Sequence, residues 1–109
     1  KLSQARTYAQ KAISFNENYG EPYILLAQMY GSNPNWSDEP ALNRCTYYVV
    51  IDKLQRAKAV DPSVTDKVNE LIATYARHTP QAKDLFMLGY KAGDRITIGG
   101  WIGESTTIR

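Results

Sequence analysis

Apolar residues recur at the spacing of an α-helix over most of this chain. The stripes begin with small residues in the first segment and become larger and more aromatic further along. They predict five helices, over about residues 2–16, 22–31, 40–60, 64–77 and 79–88. The helical part therefore extends over residues 1–88, and a polar loop at about 31–40, GSNPNWSDEP, separates the second helix from the third.

The ends of two predicted helices carry recognisable start signals. Asp38 or Glu39 comes before Pro40, and proline suits the first position of a helix while an acidic side chain can cap its free amides. Ser63 and Asp66 have the spacing of a capping box at the start of the fourth helix.

The pattern changes at Gly89, where glycines become frequent and apolar residues alternate with others as they do in strands. This alternation predicts a β-hairpin within residues 89–109. Gly103-Glu104 would form a two-residue turn, and Gly99-Gly100 is the competing position. Because an isolated hairpin is marginal in water, we expect it to pack on the last helices as a cap, or on another chain.

Two parts of the helical region share one spacing of small, apolar and turn residues, shifted by 45 residues from Ala5 to Val50. The segments KAISFNENYGEPYILLAQMY and RAKAVDPSVTDKVNELIATY show it most clearly, the second with Ala57 and Pro62 at the end of a helix. This spacing resembles the tetratricopeptide repeat, a helix pair of about 34 residues. The excess of about 11 residues then makes the loop at 31–40 an insertion that lengthens the third helix. HEAT-like and armadillo-like solenoids remain as alternatives.

The resemblance implies a mainly α fold: antiparallel helix pairs wound into an α-α superhelix and followed by the short hairpin. It also implies a protein or peptide partner, no enzymatic activity and no cofactor. The groove of such an array would be lined by Glu21, Ile24 and Gln28 on one helix, and by Asn69 and Arg77 on a later one. Amide and guanidinium groups there would hold a peptide backbone or carboxylate.

The last block, KAGDRITIGGWIGESTTIR, is similar to the end of uncharacterised tetratricopeptide proteins from gut Bacteroidetes. That resemblance implies a place in the cell envelope or periplasm, with the cytoplasm as the alternative. The first residue is not methionine, so we expect more chain upstream, where an enzymatic domain would also be compatible with this sequence. The segment RITIGG carries few charges and could pair with a second copy to give a homodimer.

Composition excludes several classes of protein. Thirteen basic and eleven acidic residues are interspersed, so no basic surface for nucleic acid is expected. No apolar run approaches the roughly 18 residues of a membrane span. Cys45 is the single cysteine, which excludes an internal disulfide and a cysteine-rich zinc site. His78 is the single histidine and cannot build a metal site alone. Asp52 and Arg56, one turn apart, predict a solvent-facing ion pair.

Other residue types invite a chemical interpretation without a supporting pattern. Ser105, His78 and Asp94 are hydrolase types, but GESTT lacks the G-x-S-x-G elbow, so no catalytic residue is assigned. Trp36 and Trp101 stand in loops, where a tryptophan either folds back to cover the helices or stays exposed for a partner; both are candidate exposed aromatic residues. They support an alternative function, a binder of carbohydrate or another small ligand. The tyrosines on the helical stripes are expected in the core; they are Tyr8, Tyr23, Tyr30 and Tyr75.

Overall fold

The computed structural model describes residues 2–109 and confirms a mainly helical fold that ends in a two-stranded antiparallel hairpin. Six α-helices and one 3-10 turn precede the strands in this part of the chain. The helices are α1 (Leu2–Phe15), α2 (Glu21–Ser32), α3 (Pro40–Arg44), α4 (Thr46–Val60), α5 (Thr65–Ala76) and α6 (Ala82–Met87), with the 3-10 turn at Pro62–Val64 between α4 and α5. The strands are β1 (Arg95–Thr97) and β2 (Ser105–Thr107).

The helices form one layer in which α2 and α4 pack most extensively. α1 lies against α2, and α5 lies against α4. Tyr47, at the start of α4, stacks on Tyr75, at the end of α5, so these two helices run antiparallel. Tyr75 also touches Gly31 at the end of α2, where an added Cβ would lie 2.7 Å from its ring. α2 and α5 therefore run in the same direction, and both pack on α4.

The turns between paired helices contact each other. The Gly20 amide, in the turn before α2, donates a hydrogen bond of 2.9 Å to the Asp61 carboxylate, in the turn before α5. Asp61 also accepts from the Ser63 amide and thereby caps the 3-10 turn. The Ser63 hydroxyl donates to the same carboxylate. These bonds lower the pKa of Asp61, and the bond from the Ser63 hydroxyl has the largest effect. The prediction of a capping box from Ser63 to Asp66 is therefore wrong, because the capping carboxylate is Asp61.

The predicted long third helix is two helices. Helical hydrogen bonding is interrupted at Cys45, so α3 is a short separate helix and the connection before it covers residues 33–39. Glu39 is the N-cap residue of α3, but its side chain makes no capping hydrogen bond to any described residue. Residues 33–44 thus form a loop plus one short helix, and α4 begins at Thr46.

The hairpin pairs Arg95 with Thr107 and Thr97 with Ser105. The Ile98 amide also donates to the Glu104 carbonyl at 2.8 Å, so the connection is a wide loop over residues 99–103. Both predicted two-residue turns are therefore wrong. The loop is wide because Ile102 is buried within it, and its backbone reverses at Gly100 and Gly103, which both have positive φ.

The hairpin presents its isoleucines to the helical layer and its polar side chains to solvent. Its inner residues are buried against the core: Ile96, Ile98, Ile102, Thr106 and Ile108. On the outer face, Thr97 and Ser105 share a hydroxyl hydrogen bond of 2.8 Å. The polar contacts that hold the hairpin run to α1, α2 and α4 rather than to α5. The last helix, α6, lies beside the end of β2, where Leu85 and Ile108 line one depression.

The tyrosine predictions are confirmed only in part. Tyr23 and Tyr30 are buried, and Tyr75 is half-buried against the core. Tyr8 is 75% exposed, so its assignment to the core is wrong; it lies on the outer face of α1. The predicted pair of Asp52 with Arg56 is also replaced, because Asp52 binds Arg109 and accepts from the Thr106 hydroxyl at 2.7 Å.

Candidate functional site

The residues predicted to line a peptide groove lie on α2, on α5 and just after α5. Glu21 forms a salt bridge of 3.1 Å with Lys67 at the start of α5. Asn69, on α5, accepts a hydrogen bond of 2.9 Å from Lys58 of α4. Two of the groove candidates are therefore already paired with neighbouring lysines, in different places.

The remaining groove positions differ in exposure. Gln28 is exposed beside α1, and Arg77 is exposed just after α5. Ile24 is buried, yet it lines the same depression as Glu21 and Gln28. The three groove positions predicted on α2 therefore border one depression, beside α1.

Trp36 in the insertion is half-buried and packs against the core rather than standing exposed. Its indole N–H donates to the Leu42 carbonyl at 3.1 Å. Its ring faces Gly99 of the hairpin loop, where an added Cβ would lie 2.9 Å from a ring carbon. The insertion therefore folds back onto the hairpin, and the close approach requires glycine at position 99.

Trp101 in the hairpin loop is likewise half-buried. Its ring meets that of Tyr30 edge-on, with 5.3 Å between centroids. Arg6 of α1 lies over the indole at 5.9 Å and donates hydrogen bonds to the Trp101 and Ile102 carbonyls, the latter at 2.9 Å. The prediction of exposed aromatic residues thus needs correction for both tryptophans, and with it the alternative function loses the platform on which it rested.

One outer surface of the helical layer is apolar. We call it the α1–α2 edge and define it by Tyr8, Phe15, Tyr19 and Leu25. Tyr8 and Phe15 lie seven residues apart on α1 and are 75% and 88% exposed. Tyr19 and Leu25 are also exposed, and with Tyr8 they border the depression of about 460 Å³ that Glu21 and Gln28 flank.

The opposite side of the layer is polar. We call it the α5 edge and define it by the exposed side chains of Asn69, Glu70, Thr74 and Arg77. The inward face of α5 is apolar, with Val68 buried and Leu71 packed against the core. The layer therefore ends in a solvated helix on this side.

A second cleft, of about 510 Å³, lies beside the insertion. Its lining comes from the loop, from α3, from the start of α4 and from the segment after α5: Pro34, Asn35, Ser37, Pro40, Asn43, Arg44, Tyr47 and His78. The Tyr47 ring contacts two other rings. Its centroid lies 6.0 Å from that of Tyr75 and 5.2 Å from that of His78. Arg44 and His78 thereby reach one cleft although 34 residues separate them in the chain.

The three residues of hydrolase type have separate partners. Ser105 bonds to Thr97 across the hairpin, and His78 contacts Tyr47. Asp94 accepts from both the backbone amide and the side chain of Lys91, bonds that hold its pKa below the usual value. No hydrogen bond among residues 2–109 joins any two of the three.

Cys45 and the buried phenol of Tyr30 are the groups whose titration is most altered. Burial raises the pKa of the Cys45 thiol to about 11, so it stays a thiol at neutral pH. Burial, and then a hydrogen bond of 2.6 Å to Glu104, raise the pKa of Tyr30. Within residues 2–109, no group of three or more histidine, cysteine or acidic side chains is placed to bind a metal ion. No helix in the same range has the length and apolar character needed to cross a membrane.

Comparison of this chain with family models, with curated proteins and with solved structures found no match.

Sequence reasoning missed the polar contacts that attach the hairpin. Glu104 accepts from Tyr30 and forms a salt bridge of 2.8 Å with Lys53. Arg109 binds Asp52 and lies 4.9 Å from the Tyr48 ring centroid. These partners are more than 50 residues apart, so no local spacing could have indicated them. The cleft beside the loop, which we call the insertion cleft, was missed because its lining includes His78, 34 residues from Arg44 in the chain.

Proposed function

We propose that this chain is a non-catalytic protein-interaction module that forms the C-terminal end of a longer array of antiparallel helix pairs. The observation that carries the proposal is the exposed apolar surface at the α1–α2 edge. An apolar surface with four large side chains, beside a depression of about 460 Å³, is typical of a site covered by another protein segment.

The internal repetition indicates what kind of segment would cover this edge. Ala5 and Ala12 of α1 are half-buried, whereas Val50 and Ala57, 45 residues further along, are fully buried in α4. α4 has a helix on each side, α2 and α5, whereas α1 packs on α2 alone. A helix that packs on α1 as α2 packs on α4 would complete the series.

The α5 edge supports the direction of the proposed array. Helical repeat proteins need a terminal helix with a polar outer face, because nothing covers it. α5 has that character, with Asn69, Glu70 and Thr74 exposed. The array of helix pairs would therefore continue from the α1–α2 edge and end at α5. The short helix α6, with Phe86 and Met87 exposed, follows α5 in the chain.

The proposed partner is a protein or peptide segment with an apolar helical face. Glu21 and Gln28 flank the depression and would provide the polar groups at its rim. The resemblance to tetratricopeptide repeats is consistent with such a partner. The resemblance of the last block, KAGDRITIGGWIGESTTIR, to Bacteroidetes proteins is the basis for proposing a place in the cell envelope or periplasm.

The test compares capture of proteins by three forms of the chain from a lysate of cells that make it. The first is the wild type, and the second carries Tyr8→Gln, Phe15→Gln and Leu25→Gln at the α1–α2 edge. The matched control carries Asn69→Ala and Arg77→Ala, the groove candidates at the α5 edge. All five positions are exposed, so circular dichroism should show the same helix content in each form.

The proposal predicts a protein that the wild type and the α5-edge control retain and the α1–α2-edge variant loses. Loss with the α5-edge control alone would favour the peptide groove predicted from the sequence and contradict the array. The absence of any protein captured by the wild type would count against an interaction module.

A further inference from the structure

The insertion cleft carries a chemistry that the interaction surface does not use. Its volume of about 510 Å³ is within the roughly 300–1,000 Å³ typical of small-molecule sites. Its walls combine two prolines with polar side chains that point to a ligand of mixed character. A protein-binding edge needs no such cleft, so the insertion calls for a separate explanation.

Hydrogen-bond donors without partners line this cleft. Within residues 2–109, the Arg44 guanidinium makes no hydrogen bond and no ion pair. The Tyr47 hydroxyl and the His78 imidazole also make no hydrogen bond to described residues, although their rings contact each other. Three donors therefore remain available to a ligand in the same cleft.

The charge of the lining is one-sided. Arg44 is the charged side chain of the cleft, and no aspartate or glutamate among residues 2–109 lines it. Asp38 follows Ser37 in the loop but borders a different depression. A guanidinium without a carboxylate partner favours an anion, and its planar donors suit the paired oxygens of a carboxylate or a phosphate.

The wall of the cleft is held in place before any ligand binds. The Asn43 side chain accepts from the Trp36 and Ser37 amides at 3.0 and 2.8 Å and donates to the Ser37 carbonyl at 2.9 Å. The buried Thr46 hydroxyl bonds the Pro34 carbonyl at 2.9 Å. Because the loop is already ordered, little conformational entropy would be lost on binding.

We propose that the insertion cleft binds the oxyanion group of a small organic ligand, a carboxylate or a phosphate, through Arg44, Tyr47 and His78. Arg44 supplies the charge-assisted hydrogen bonds, and the Tyr47 hydroxyl and the His78 imidazole donate further hydrogen bonds to the same oxyanion. The proline side of the cleft, Pro34 and Pro40, faces the carbon skeleton of the ligand. This inference is independent of the proposed interaction module.

The test is a titration followed by amide chemical shifts in nuclear magnetic resonance. The probes are benzoate, phenyl phosphate and the uncharged analogue benzamide, which share one ring. Arg44→Gln removes the charge at the cleft, and Arg56→Gln is the matched control, because Arg56 is exposed on α4 and lines no part of the cleft. Tyr47→Phe removes the hydroxyl and keeps the ring.

We expect one of the anions to shift the amides of Arg44, Tyr47 and His78 with an affinity at least about tenfold above that of benzamide. Arg44→Gln should abolish that difference, Arg56→Gln should keep it, and Tyr47→Phe should weaken binding about threefold. The tighter anion identifies a carboxylate or a phosphate ligand. Equal binding of the three probes, no binding at the cleft, or an unchanged Arg44→Gln would overturn the proposal.

Discussion

The two edges of the helical layer differ in the side chains that they present to solvent. The α1–α2 edge exposes Tyr8, Phe15 and other large apolar residues, whereas the α5 edge exposes polar residues such as Asn69 and Glu70. Both edges are made by helices of similar length that pack inward through apolar faces. The difference therefore lies in the outer faces alone, and it indicates that one edge is suited to a protein contact and the other to water.

The position of the hairpin sharpens this comparison. Although it follows the last helix in sequence, it is held by Arg6 of α1, Tyr30 of α2 and Asp52 of α4. The α5 edge stays solvated without it. The hairpin thus fastens the first helix to the layer and leaves the outer face of that helix open.

The largest expected effect is the difference in unfolding free energy between a substitution inside the helical layer and one at its open edge. Leu54 of α4 is fully buried, so Leu54→Ala should lower the free energy of unfolding by about 2–5 kcal/mol. Leu25→Ala, at the α1–α2 edge, should cost less than about 1 kcal/mol because much of that side chain is already exposed. Urea denaturation measures both; equal losses would mean that the edge is not open.

A smaller effect is expected where the insertion meets the hairpin. Gly99→Ala would place a methyl group 2.9 Å from a ring carbon of Trp36. We expect this contact to lower the free energy of unfolding by about 1–3 kcal/mol. In a Trp36→Leu background the same change should cost less, since the ring is gone. A double-mutant cycle measured by thermal unfolding tests this, and additive effects would show that the two segments do not touch.

The bond between Tyr30 and Glu104 should give a pH-dependent effect. Tyr30→Phe removes a hydrogen bond to a carboxylate, and we expect a loss of about 1–2 kcal/mol at pH 8. The pKa of Tyr30 is raised in the fold above its ordinary 10.0, so its contribution is complete below pH 10 and is lost as the pH rises above it. The difference in unfolding free energy between the wild type and Tyr30→Phe should therefore be smaller at pH 11 than at pH 8. The same difference at both pH values would contradict the assigned bond.

The smallest effect concerns the hold of the hairpin on α1. Arg6→Ala removes the bonds to the Trp101 and Ile102 carbonyls, and we expect α1 to lose about 1 kcal/mol of protection in amide hydrogen exchange. Lys11→Ala, an exposed change on the same helix, is the control. Protection in α5 should be unchanged by either; a uniform loss through the whole layer would argue against a local role for Arg6.

Local pattern predicted much of the fold. The stripes of apolar residues indicated α1, α2, α4 and α5 because side-chain spacing along one helix depends only on nearby residues. The alternation after Gly89 indicated the hairpin in the same way. The break at Cys45 was not predictable, since no glycine or proline marks it between Ala41 and Val60.

The candidate site was less predictable. Trp36 was expected in a loop that faces solvent, yet it packs on Gly99, which lies 63 residues away in sequence. Tyr8 fits the apolar stripe of α1, but a stripe does not tell whether a neighbouring helix covers it. Periodicity identifies the faces of a helix, and only tertiary contacts decide which face is buried.

The most direct measurement is hydrogen–deuterium exchange of the chain alone and in complex with a protein that it captures. We predict slower exchange in α1 and α2 on binding, because the α1–α2 edge is the proposed contact surface, and no change in α5. Slower exchange confined to α5, with α1 and α2 unaffected, would contradict it.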